Sequence, residues 1–471
     1  MQFVSTLGDS DAATARLGGA ARLLSPASAG WGSVWLGVAA SAMVALGSTN
    51  DEFAFAPSGW PNAGVKAVAA LAPVPFDKVL LGLGAVLLTL AWWRLRPHRG
   101  LTAPPAAAVL ALWSLPLLLA PPVLSMDPAL YADLGWIQLQ GLNPYDVGLT
   151  GAGGPFAGQV DSLWAGKGVA YPPLALVVDR LVVAAAGAHP WWSIVAMRVP
   201  VLLSLAVMAV TLPRIAVRLG RPPRAALWLG LLNPLVVIHV VGGAHNDAPM
   251  VAMTLVAILL VLRFPTDAVS LVAAPAVLGL AMAFKQQGGL AVVAAAGLPV
   301  AASLAALPRA SRLWLLGRRT LVAAVVACLA FVAVTLATGL GFGWSRWLEL
   351  MGRAPTPAPL GLVTSAGSAV LEAVGADPGG FVAAMGVLSL VLIAAGLGWV
   401  LVRFADRPLA AVAWGALVVV LGGQALHPWY LVWPLALFAL VPLTRRQRRW
   451  VFGLSLFFLN WNAVQTAVIH R

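Results

Sequence analysis

The sequence is short of charge and of cysteine, and each shortage excludes something. Only 10% of its 471 residues are charged against 61% hydrophobic, which excludes a water-soluble globular domain. The one cysteine, Cys328, lies inside an apolar run, so neither a disulfide framework nor a cysteine-based metal site is available. There is no GxxxxGK[ST] run, and no GxGxxG run follows a strand pattern. An activated substrate therefore has to arrive without a nucleotide motif to receive it. Asp9, Asp11, Arg16 and Arg22 stand near the start without an early apolar core, which argues against a cleaved signal peptide.

What the chain does have is long apolar runs. They cover about 31–48, 77–95, 104–124, 192–216, 225–241, 248–263, 269–283, 288–307, 320–340, 381–402, 408–424, 428–443 and 450–469. Most approach the roughly 20 residues that cross a hydrocarbon core. The net charge of +13 is carried by arginines between these runs, which points to membrane topology and not to nucleic acid. With the N-terminus in the cytoplasm, every cluster falls on that side: Arg94, Arg96 and Arg99; Arg214, Arg218, Arg221 and Arg224; Arg263; Arg309, Arg312, Arg318 and Arg319; Arg403 and Arg407; Arg445, Arg446, Arg448 and Arg449. The stretch 171–192 is not counted as a crossing, because Asp179 and Arg180 interrupt it; it reads as an interfacial or re-entrant segment.

The expected fold is an all-α integral membrane protein, a polytopic helical bundle of about 13 transmembrane helices forming one domain, 1–471. A first extracytoplasmic loop, 125–191, carries interfacial helices, and a second, 341–379, carries Trp344, Arg346 and Trp347. The arginine-rich, lysine-poor composition suits a bacterial plasma membrane. This topology puts all four tyrosines, all four lysines and twelve of the sixteen acids at the outer face. Aromatic belts form at both interfaces, so a one-sided set needs another cause.

Four stretches gather that polarity. In "SMDPALYADLG" (125–135) Asp127 and Tyr131 share a helix face. Asp127 either caps the helix ahead of Pro128, or presents a partly desolvated carboxylate with a raised pKa as a general base; the two roles are compatible. In "VVGGAHNDAPM" (240–250) Asn246 or Asp247 caps the next helix, or else His245, Asn246 and Asp247, with His239 one to two turns earlier, serve a site; the cost of holding four polar groups there favours the site. In "AMAFKQQGGL" (281–290) Lys285, beside Gln286 and Gln287, either snorkels to the interface or meets a phosphate. In "GGQALHPWYLVW" (422–433), with Gln424 and His427, Trp429 and Tyr430 are belt residues or a sugar-stacking face. Asp127, His245 and Asp247 lack the spacing of a dedicated metal site.

In this order, "SMDPALYADLGWIQLQGLNPYDVG", "VAYPPLALVVDRLV", "GGAHNDAPMVAM", "AFKQQGGL" and "HPWYLVWPLALFAL" resemble the integral-membrane glycosyltransferases of the GT-C fold that use polyprenyl-phosphate sugars. Within that group the chain is similar to the actinobacterial alpha-1,6-mannopyranosyltransferases of lipomannan synthesis. The resemblance implies inverting transfer of mannose from polyprenyl-phosphate mannose to a lipid-anchored mannan acceptor at the outer membrane face. It implies Asp127 as the base, Lys285 on the leaving phosphate with Arg180, Arg198 and Arg346 as competitors, and His245, Asn246 and Asp247 on sugar hydroxyls. Tyr131, Asp133, Asn143, Tyr145, Tyr171, Gln286, His427, Trp429 and Tyr430 are expected to line the substrates. Asp133 serves either the chemistry or the structure of the loop. No cofactor is implied, and a divalent cation is compatible but not required; membrane lipids are partners and nucleic acid is not. The rival readings are a transferase of another sugar, such as arabinofuranose, and a transporter or flippase of lipid-linked saccharides.

Overall fold

The computed structural model describes residues 30–49, 60–97, 104–352 and 356–468. Asp9, Asp11, Arg16, Arg22 and Arg99 lie outside the described residues. Among the described residues all regular structure is helical. Helices α1 (Trp31–Gly47) and α2 (Phe76–Arg94) lie side by side because glycine permits it. A Cβ on Gly84 would sit 2.8 Å from the Ala40 carbonyl, and one on Gly47 2.7 Å from that of Asp77. Small residues bring helix backbones together in this way where lipid removes the hydrophobic drive for association. Polar atoms in the same core find partners. Trp92 and Trp228 stack at 4.4 Å, and each indole N–H donates to the other's carbonyl at 2.8 Å.

Helices α3 (Asp127–Leu139) and α4 (Pro173–Ala185) both carry proline in the first turn, where its missing N–H costs nothing. They pack so closely that a Cβ on Gly135 would lie 2.6 Å from the Asp179 carbonyl. Next come α5 (Arg198–Arg218), a π-helical turn (Val236–Gly242), α6 (Asp247–Arg263) and α7 (Ala274–Phe284). A tight turn (Gln286–Ala291) then leads through Val292–Gly297 to α8 (Arg309–Ala337), α9 (Gly379–Phe404) and α10 (Pro408–Gly422). The helical segments Pro428–Phe438 and Arg445–Val468 complete the described chain.

Five helices among the described residues are long and apolar enough to cross a membrane: Phe76–Arg94, Pro190–Arg218, Gln286–Ala306, Arg309–Ala337 and Gly379–Phe404. A sixth follows if Val236–Gly242 and Asp247–Arg263, bent by 113°, are one broken span. That is fewer than the thirteen apolar runs. Several other runs are helical but short, such as Ala106–Leu117 and Val269–Phe284, where a proline interrupts the apolar run. Helix α9 buries only 11% of its apolar window and leaves Leu390 and Trp399 more than half exposed. Such a surface suits lipid and not water. This is a helical membrane protein.

Candidate active site

The site begins where the chain enters α3. Leu124 takes a left-handed φ of 57°, the Val123 N–H donates to the Gly242 carbonyl, and the Asp127 N–H donates to Ser125 Oγ at 3.1 Å. Arg198 fixes this junction from behind. Its guanidinium is buried and donates to the carbonyls of Val241 (3.1 Å), Pro121 (3.1 Å) and Gly242 (2.8 Å), with a longer contact to Leu118. The planar fork suits several acceptors at once. Arg198 is thus a clamp between the α3 approach and the break before α6, which removes it as a phosphate ligand.

Asp127 is the first helical residue and not the cap; the cap position belongs to Met126, without a side-chain bond. The carboxylate is instead engaged by Tyr131, whose hydroxyl donates to Asp127 Oδ2 at 3.1 Å, and by His245, whose Nδ1 lies 3.2 Å from the same oxygen. The side chain keeps 21% exposure, so one face of the carboxylate is open. Burial raises its pKa, but the His245 hydrogen bond and charge outweigh that, with His427 and Tyr131 adding to them, and the carboxyl is held below its ordinary value. The expected rise is therefore corrected: a histidine stands where only desolvation was anticipated.

The His-Asn-Asp turn is shaped by backbone. Ala244 has φ 49°, and a Cβ on Gly243 would lie 2.7 Å from the His239 carbonyl and 3.0 Å from the His245 ring. Only glycine fits that approach. Asn246 occupies the cap position of α6 without a capping bond, and among the described residues its amide N and O have no partner. Asp247 does not cap either. Its Oδ1 accepts from Lys285 Nζ at 2.7 Å and, in a very short bond, from Trp433 Nε1. Lys285 Nζ also sits 4.6 Å from the Tyr430 ring, 5.1 Å from Trp433 and 5.9 Å from Tyr171. Lys285, expected on the leaving phosphate, thus has its ammonium buried and paired with the Asp247 carboxylate.

Trp429 and Tyr430 are buried, which rules out a lipid belt for both. Trp429 is also not an open sugar-stacking face, because His245 (3.6 Å) and His427 (4.4 Å) stack on it. Burial pushes His427 down to about 4, against an opposing pull from Asp127, so it is neutral at pH 7. Tyr131 meets Tyr171 edge to face at 5.7 Å, and Tyr145 donates its hydroxyl to the Tyr171 carbonyl at 2.7 Å. Gln286 Nε2 donates to the Ala170 carbonyl at 2.8 Å.

Other expected site residues hold the loop and not the centre. Asp133 is fully buried and accepts from the Thr150 N–H at 2.7 Å; burial pushes its carboxyl up to about 6, against that hydrogen bond. Asn143 accepts from the Tyr145 N–H and donates to the Leu340 carbonyl. Arg346 pairs with Asp146 at 2.6 Å on an exposed surface, and Trp347 donates to the Tyr145 carbonyl. These two tie the second loop to the first. Arg180 is exposed on α4. Trp433 was missed as a site residue, although it follows Trp429 at the i+4 spacing that shares a helix face. Among the described residues no group of three or more His, Cys, Asp or Glu side chains that could hold a metal ion is found.

Residues 34–302 match the model described as alpha-(1->6)-mannopyranosyltransferase, N-terminal domain. The chain belongs to the alpha-(1->6)-mannopyranosyltransferase family. Residues 357–463 match the MptB C-terminal domain. Alpha-(1->6)-mannopyranosyltransferase A of Mycobacterium tuberculosis is 31% identical over 406 residues, 80% of this chain and 74% of that protein. A probable alpha-(1->6)-mannopyranosyltransferase of Mycolicibacterium smegmatis is 31% identical over 401 residues, 76% of this chain and 70% of its own length. Alpha-(1->6)-mannopyranosyltransferase B of Corynebacterium glutamicum is 27% identical over 418 residues, 80% and 66% of the two chains. No solved structure matches. This mannopyranosyltransferase-family chain is a glycosyltransferase. Its site draws on both matched segments: Asp127, His245, Asp247 and Lys285 come from the first, and Trp429, Tyr430 and Trp433 from the second.

Proposed function

We propose that this glycosyltransferase moves mannose from polyprenyl-phosphate mannose to a lipid-anchored mannan acceptor in alpha-1,6 linkage, with inversion at the anomeric carbon. The observation that carries the reading is a partly exposed carboxylate, Asp127, held by Tyr131 and His245. In the reaction the acceptor 6-hydroxyl gives its proton to Asp127 while its oxygen bonds to the anomeric carbon. The bond from that carbon to the phosphate oxygen breaks, and polyprenyl phosphate leaves. A carboxylate held below its ordinary pKa is ionised at neutral pH and ready to accept the proton. Asn246, whose amide lacks a protein partner, suits a sugar hydroxyl, since a buried amide without a bond is costly. The Asp247–Lys285 pair fixes the ring cage of Tyr171, Tyr430 and Trp433 and lends sugar hydroxyls the second carboxylate oxygen, Asp247 Oδ2, which has no partner among the described residues.

The membrane arrangement belongs to the same proposal: a GT-C bundle of about thirteen crossings in the plasma membrane, N-terminus cytoplasmic, with the site on the extracytoplasmic side. Its support is the arginine pattern together with a site built from residues that this topology assigns to one face. A flippase finds less support, because the similar proteins named above are all transferases. In the direct test, purified protein receives beta-linked polyprenyl-phosphate mannose and a short alpha-mannoside. The expected result is release of polyprenyl phosphate and an alpha-1,6 product by NMR; hydrolysis alone, or a retained beta linkage, would overturn the proposal.

A further inference from the structure

Residues 427–433 grip the His-Asn-Asp turn at two points. One grip is polar: the Trp433 indole N–H donates to Asp247 Oδ1, and the Tyr430 ring covers the Lys285 ammonium at 4.6 Å. The other is a stack of rings. His245 lies 3.6 Å from the Trp429 ring at an interplanar angle of 15°, and His427 lies 4.4 Å from it, also at 15°. Two imidazoles on one face of an indole at those distances would overlap, so Trp429 lies between them. The turn Pro428–Leu431 sets its place, starting on proline and closing with a bond from the Tyr430 N–H to the His427 carbonyl at 3.0 Å.

His245 needs such a support. It follows Ala244, whose φ of 49° is left-handed, and its Nε2 is buried without a partner among the described residues. Only Nδ1 reaches out, to Asp127 Oδ2 at 3.2 Å. The torsion that turns an imidazole about its bond to Cβ is broad, so one contact at one nitrogen leaves the ring plane loose. A face-on contact fixes that plane and with it the direction of Nδ1. His239 meets the same rings only obliquely, at 6.4 Å from His245 and 5.8 Å from Trp429.

We infer that Trp429 is a positioning residue for Asp127, acting through His245: its indole holds the imidazole plane in which Nδ1 meets the carboxylate. The inference rests on the proposed role of Asp127 as base, and it gives the second matched segment a part in a reaction whose base lies in the first. The titratable groups that act on Asp127 are His245, His427 and Tyr131, and Asp127 acts in turn on Tyr171 and Tyr430. Among them His245 does most to hold the carboxyl down, so a loosened His245 leaves burial to raise it.

Trp429→Leu removes the ring face, Trp429→Met serves as a second variant without one, and Trp429→Phe keeps a smaller one; each is checked for folding by thermal unfolding. The first readout needs no transfer. In full-length protein with 13Cγ-labelled aspartate in nanodiscs, the Asp127 resonance is assigned by its loss in Asp127→Asn and followed by NMR against pH. Its midpoint is expected to move to higher pH in the Leu and Met variants, in the direction of His245→Ala, and to stay near the wild type in Trp429→Phe. An unmoved midpoint overturns the inference whether or not mannose is transferred. The second readout is transfer. Without the ring face kcat is expected to fall about tenfold or more, as misplacing a reacting group does, with KM little changed. His245→Ala with Trp429→Leu is expected to be no slower than His245→Ala alone, because residues acting in one chain of contacts do not add. Losses that multiply, or a change confined to KM, contradict the assignment. If Asp127→Asn transfers at a normal rate, the base role fails and the NMR titration alone decides whether Trp429 positions the carboxylate.

Discussion

At the level of single residues the proposed chemistry turns on which partner Asp127 finds. Its alliance with Tyr131 was legible, because i,i+4 spacing needs only a helix. The alliance with His245 was not, since it depends on a distant turn closing on the start of α3. His245→Ala leaves burial to dominate at Asp127, so the acidic limb of the kcat/KM profile should move to higher pH; an unmoved limb would separate the two residues. Asp133 makes a different prediction. Its folded carboxyl titrates at about 6 against about 3.9 unfolded, so protonation is favoured in the fold and its contribution is complete below pH 4. Stability is then lost as pH rises to 6, by about 3 kcal/mol at 1.36 kcal/mol per unit. Thermal unfolding of Asp133→Asn, which keeps an acceptor for the Thr150 N–H, should lack that loss. Parallel wild-type and variant curves from pH 4 to 6 would count against it.

Among the elements, the break between the π-helical turn and α6 is the centre of the design. The paired glycines at 242 and 243 permit a turn, but nothing in their composition gives its 113° bend or the arginine that holds it. A membrane arginine suggested a ligand; the fold gives it three well-placed carbonyls instead. Arg198→Ala would take this donor from the buried carbonyls of Val241 and Pro121, at about 1–3 kcal/mol for each group, while that of Gly242 keeps the Val123 N–H. The expected outcome is a large drop in thermal stability, not rescued by Arg198→Lys, whose single ammonium lacks the fork. A raised KM for donor with stability unchanged would instead restore Arg198 to the substrate. The interruptions that shape the site also explain why counting apolar runs overstated the number of long helices: a run of composition is continuous across a proline that the helix does not survive.

For the whole molecule, arginine clusters suggested which residues face together, and the structure brings Asp127, His245, Lys285 and Trp429 into one neighbourhood from segments far apart in the chain. Burial of Trp429 and Tyr430 was not legible, because a tryptophan at a span's end looks the same facing lipid or facing a histidine. In a Cys328→Ala background, Ser162→Cys in intact cells should react with a membrane-impermeant maleimide, and Arg309→Cys should react only after permeabilisation. The reverse pattern would invert the orientation. The most direct measurement is single-turnover transfer from polyprenyl-phosphate mannose by Asp127→Asn beside the exposed-acid control Asp146→Asn, both verified as folded by thermal unfolding. Loss of a general base predicts a rate about 10²–10⁴-fold lower for Asp127→Asn, with most activity kept in the control. A normal rate for Asp127→Asn would contradict the assignment of the reaction to this carboxylate.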